Sequence, residues 1–169
     1  PDDPVLWVSE LFTFWNDEED KEAVERRRLD AVRALAADHG PDAVRSLLHR
    51  SQQPHLVQSA IYAAGLGGPF LEELLRGEID GFPDSWQASG YFSMLRHVVG
   101  EDEALKVAAD LLASNTPATI AKMLRAWPTE RSTWDAASAL GEEVLAHYWR
   151  DFSSHNIDGD HETLLAVVA

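Results

Sequence analysis

The sequence predicts an all-α protein, and three observations carry that prediction. Apolar residues recur at helical spacing along most of the chain. No segment alternates apolar and polar residues as a half-buried strand would. Four times a helical run stops at glycine and another starts almost at once: His39-Gly40-Pro41-Asp42, Leu66-Gly67-Gly68-Pro69, Val99-Gly100-Glu101-Asp102 and Leu140-Gly141-Glu142-Glu143. Glycine takes positive φ just past a helix end, and proline or acidic residues suit the first turn of the next helix. The expected architecture is antiparallel helical hairpins stacked as a short right-handed α–α solenoid, with an irregular helical bundle as the alternative.

The elements follow in order. Val5, Leu6, Val8, Leu11, Phe12 and Trp15 repeat at helical spacing after Pro4, and Asn16 to Asp20 is an acidic turn. A long helix is expected from Glu18 to Asp38, with Leu29, Val32, Leu35 and Ala36 on one face. Beyond Gly40 a shorter helix carries Val44, Leu47 and Leu48. Pro54 opens the next, with Leu56, Val57, Ala60, Ile61 and Ala64, and its partner after Gly68 carries Phe70, Leu71, Leu74 and Leu75. These stripes are wider than a two-stranded coiled-coil seam and suit burial between neighbouring helices.

Gly77 to Ser85 reads as a loop because Gly77, Gly81 and Pro83 cluster there. A helix from Ser85 to Val99 turns Tyr91, Phe92, Leu95, Val98 and Val99 inward, and its partner spans Glu101 to Ala113. Thr116-Pro117 is an N-cap followed by proline at the first helical position, and that helix ends at Trp127-Pro128. Thr129 or Ser132 caps a helix through Leu140, and Glu142 to Asp151 forms its partner. Ser153 to Asp160 is polar and loop-like, with a last helix starting near Asp160.

The bulk numbers narrow the function. A chain of 169 residues with 45% hydrophobic content can bury a core, and a single domain over residues 1–169 is expected. Its net charge of −15, from 29 acidic against 14 basic residues, opposes binding to nucleic acid or to anionic membranes. Zero cysteines exclude disulfides, thiolate zinc sites, iron–sulfur clusters and a cysteine nucleophile. No membrane span or signal-peptide pattern is found, and a cytoplasmic location is expected. Eleven Arg against three Lys, in an Ala-rich chain, points to a GC-rich bacterial genome. The chain starts at Pro1 without methionine and closes on the apolar run Thr163 to Ala169 with no cap, so an excised piece of a longer protein is expected.

The junction glycines Gly40, Gly68, Gly100 and Gly141 are separated by 28, 32 and 41 residues. Over nearly its whole length the chain resembles, in layout, the HEAT-, armadillo- and TPR-type repeat families. It departs from the TPR signature, because Leu140-Gly141 is accompanied by Ala137 and Val144 where that pattern has Trp and Tyr. Leu124 to Asp151 is similar to helical regions of large bacterial multidomain proteins. The resemblance implies a helical-repeat segment that binds protein.

Candidate chemistry is sparse. His155, Asp158, Asp160, His161 and Glu162 form an acid- and His-rich stretch, but an EF-hand register with Gly159 at the sixth position puts Leu165 where the bidentate Glu belongs. His147 and Asp151 share a helix face without a third catalytic group. No zinc-protease, nucleophile-elbow or phosphate-loop motif occurs. The sequence therefore assigns no catalytic, metal or cofactor residue.

Arg26-Arg27-Arg28, near Arg33, is a basic cluster beside Glu22 and Glu25, read first as ion pairing along a helix and second as an acidic-partner contact. Among six tryptophans, Trp149 reads as core, while Trp86 and Trp127 sit at helix ends beside proline-containing turns. The expected partner-binding residues are Trp86, Trp127, Arg26 and Arg27.

The expected function is a non-catalytic protein-interaction or scaffolding module within a larger protein, contacting a protein partner or a neighbouring domain. The alternative is a regulatory or substrate-recognition segment of a multidomain nucleotide-hydrolysing or nuclease enzyme whose catalytic domain lies outside this chain.

Overall fold

The computed structural model describes residues 3–13, 20–81, 86–128 and 130–150. Among these, every regular element is a helix: α1 (Pro4–Glu10), α2 (Lys21–Arg50), α3 (Pro54–Ala64), α4 (Gly68–Gly81), α5 (Trp86–Val99), α6 (Glu101–Leu112), α7 (Pro117–Leu124), α8 (Arg131–Ala139) and α9 (Glu142–Arg150). The protein is all-α. The chain groups into two compact units, Pro1–Phe82 and Pro83–Ala169.

In the first unit, Asp3 caps α1 by accepting the Val5 N–H at 3.0 Å, and Asp20 caps α2 by accepting the Glu22 N–H at 3.0 Å. Helix α2 is broken at Gly40, whose φ of 73° and ψ of −171° lie in a region open essentially to glycine alone. Pro41 then starts the second arm, where a missing N–H costs nothing. The core joins Val32, Leu35, Val44, Leu47 and Leu48 of α2 to Val57 and Ile61 of α3 and Leu71, Leu74, Leu75 and Ile79 of α4. Helix α2 is the hub, packing against α1, α3 and α4.

The loop expected from Gly77 is corrected. Helix α4 continues to Gly81, with Glu78 and Ile79 buried, and residues 82–85 lie outside those described. Gly77 is no helix breaker but a notch: a Cβ there would stand 1.7 Å from Arg45 Nη1. The absent side chain lets the Arg45 guanidinium lie against α4.

In the second unit, α5, α7 and α9 pack in a row, each against the next. Helix α6 contacts α5 and α7, and α8 contacts α7 and α9. Gly100 precedes α6 with φ 88° and ψ 167°, the same conformation as Gly40. Thr116 caps α7 by accepting the Thr119 N–H at 3.2 Å, with Pro117 at the first helical position. Tyr91, Phe92, Leu95, Ala108, Leu111, Ile120, Leu124, Val144 and Tyr148 are buried between these helices. Val98, expected to face inward, is 46% exposed. The polar stretch from Ser153, its acid and His residues and the last helix from Asp160 lie outside the described residues.

Candidate interaction surfaces

The basic residues differ in what their guanidinium groups hold. Arg28 is 7% exposed and donates from Nε to the Leu11 carbonyl at 2.7 Å and from Nη2 to the Thr13 carbonyl at 3.3 Å, with its guanidinium over the Phe12 ring. It closes the C-terminal end of α1, whose last carbonyls have no partner within the helix. Arg33 Nε reaches the Ala64 carbonyl at the end of α3, and Arg125 Nη1 reaches the His147 carbonyl in the last turn of α9. A guanidinium at such an end also complements the negative pole of the helix. Arg50 pairs with Asp3 and holds that exposed carboxyl below the usual carboxylate range, chiefly by its hydrogen bond. Arg26 and Arg27, the expected contact residues, are exposed on α2.

The tryptophans separate. Trp86 is 52% exposed at the start of α5. Trp127 is 3% exposed, which corrects its expected place on an open surface. Its ring stacks on Phe92 at 4.8 Å between centroids and 13° between planes, and the Arg96 guanidinium covers it at 4.6 Å. Arg96 in turn pairs with Glu101 at 2.6 Å and Glu130 at 3.4 Å, so Trp127 lies under a clamp joining α5, α6 and the start of α8. Trp149 is half-buried, in ring contact with Trp134 and Tyr148.

Among the described residues no group of three or more His, Cys, Asp or Glu is placed to hold a metal ion. Asp151 lies outside those residues, so the His147–Asp151 pair falls there too. One acid–base pair the sequence reading did not find is Glu78 with His49, at 2.8 Å from Oε2 to Nε2. They lie 29 positions apart in sequence, and only the packing of α4 on α2 brings them together. No described helix is long and apolar enough to cross a membrane.

Two further features lie on the first unit. A groove of about 480 Å³ runs between α2 and α3, floored by Leu29, Leu56 and Ala60 and rimmed by Arg26, Ser59 and Ala63. On α1, Leu6 and Trp7 are 56% and 66% exposed, with Glu10 one turn further along the same face. Sequence reasoning placed Leu6 in an apolar face and did not single out Trp7. The available signal was the unbroken run Val5-Leu6-Trp7-Val8, because a single helix packed on one neighbour cannot bury its whole circumference.

No family model matches the chain, and neither a curated protein nor a solved structure is similar to it.

Proposed function

We propose that this chain is a non-catalytic, cytoplasmic helical-repeat module that presents helical surface to a protein partner or to a neighbouring domain of its own chain. The observation that carries this reading is the exposure of large apolar side chains on ordered helices: Trp7 at 66%, Trp86 at 52% and Leu6 at 56%. Tryptophan is enriched where one protein meets another, since it joins a large apolar area to one N–H donor. The alternating contacts of α5 to α9 support the repeat layout, and stacked repeats serve mainly as binding surfaces. Several described arginines, among them Arg28, Arg33 and Arg125, close helix ends, which supports a structural rather than a chemical use of charge.

Affinity capture with this chain as bait, read by mass spectrometry, tests the reading. The expected result is a retained protein whose recovery is reduced by Trp86→Ala. Recovery unchanged by Trp86→Ala and Trp7→Ala together would overturn it.

A further inference from the structure

We propose that the α2–α3 groove is a self-association site that receives Trp7 of a second copy of this chain. The inference goes beyond the partner-binding role and does not depend on it. Both halves of the contact are present on the first unit. The groove offers an apolar floor of Leu29, Leu56 and Ala60, with exposed Ala63 at its edge. Ala60 leaves depth that a larger side chain would fill, and the volume of about 480 Å³ accommodates an indole together with Leu6 beside it.

The polar features also match. An indole N–H needs an acceptor when buried. Ser59 Oγ stands on the rim, donating its own proton to the His55 carbonyl at 3.0 Å and keeping its lone pairs free to accept. Glu10 and Arg26 are both exposed, and neither has an ion-pair partner among the described residues. Glu10 follows Leu6 and Trp7 by four and three residues, hence on one helix face, and Arg26 borders the groove that would receive that face. Glu25, also on the rim, leans towards Lys21 at 3.9 Å.

Trp7 does not occupy the groove of its own chain, since it is two-thirds exposed. Knob and groove share one unit, so a two-fold axis lets each copy insert Trp7 into the other, and the contact closes as a dimer. An apolar segment of a different protein in the groove would leave Trp7 without a role there.

Sedimentation equilibrium of the chain at about 0.15 M salt, where the Debye length is about 8 Å and repulsion between two acidic copies is short-ranged, reads the proposal directly. Wild type is expected to show a reversible monomer–dimer equilibrium. Trp7→Ala is expected to raise the dissociation constant about 30-fold, as loss of a buried aromatic anchor does. Ala63→Trp, which fills the groove from an exposed position, should do the same. Arg26→Glu should weaken the dimer about fivefold, and adding Glu10→Arg should restore it. Circular dichroism on each variant confirms that the helices persist. A monomer at every concentration overturns the proposal. So does a dimer indifferent to Trp7→Ala or to Ala63→Trp, or charge reversals that add instead of cancelling.

Discussion

Glu78 has no exposed surface, and its Oε2 lies 2.8 Å from His49 Nε2 across the contact between α2 and α4. Its other oxygen, Oε1, is buried without a hydrogen-bond partner among the described residues. A buried carboxyl with one partner is a liability that the partner's removal makes worse. His49→Ala is expected to cost about 2–4 kcal/mol, because the whole carboxyl is then orphaned. Adding Glu78→Leu should recover most of that loss, since an apolar side chain of similar size needs no partner. Urea unfolding of both variants decides it. If His49→Ala alone unfolds like wild type, the pair contributes nothing.

Trp127 answers to different forces. Truncation to alanine removes its contacts with Phe92 and Arg96 together and should cost about 3–5 kcal/mol. Trp127→Phe keeps an aromatic ring in the stack and deletes a buried indole N–H that has no acceptor among the described residues, so it should cost less than half as much. A double-mutant cycle with Arg96→Ala should give a coupling of about 1 kcal/mol. Equal losses for the alanine and phenylalanine variants would show that the ring stack is not what holds this side chain.

Gly100 and Gly81 make a matched pair of opposite sign. At φ 88° a Cβ is strained however much room surrounds it, so Gly100→Ala should destabilise by about 1–3 kcal/mol. Gly81 has no positive φ and open space around its Cα, so alanine there should stabilise by about 0.5 kcal/mol through the unfolded chain. Thermal melts of the two variants should move in opposite directions.

Tyr148 supplies an alkaline limit. Burial pushes its phenol above the ordinary value of 10.0, against the smaller opposing pulls of the Trp134 indole N–H and the Arg125 charge. The folded state therefore favours the neutral phenol. Its contribution is complete below the unfolded value and is lost as pH rises through the folded one. Stability should fall above pH 10.0 in wild type and fall less in Tyr148→Phe. Tyrosinate absorbance of the two proteins, compared across the same range, should assign the late-ionising phenol to position 148.

The parts of the fold that were legible in the sequence are those set within a few residues. Gly40, Gly100 and Gly141 all take positive φ, at the junctions where their local sequence placed them. Thr116 and Pro117 start α7 as their order requires. What could not be read depended on distant residues. Gly77 looked like punctuation because the Arg45 side chain that fills its notch is 32 positions away. Trp127 looked exposed because a Trp-Pro pair ends a helix, while its covering residues Phe92 and Arg96 belong to α5. The groove was invisible for the same reason: its floor comes from two helices whose apposition no local pattern announces.

The arginine closures of α1, α3 and α9 also bear on how this sequence can drift. In each, the donor is a particular side chain, Arg28, Arg33 or Arg125, while the acceptors are the main-chain carbonyls of Leu11 and Thr13, Ala64 and His147. Every amino acid carries that carbonyl, so the bond imposes no residue type on the accepting positions. Lysine in place of the donor keeps a charge but loses the rigid fork that lets Arg28 reach two carbonyls at once. Each bond is therefore one-sided: it constrains the side chain of its donor and not that of its acceptor.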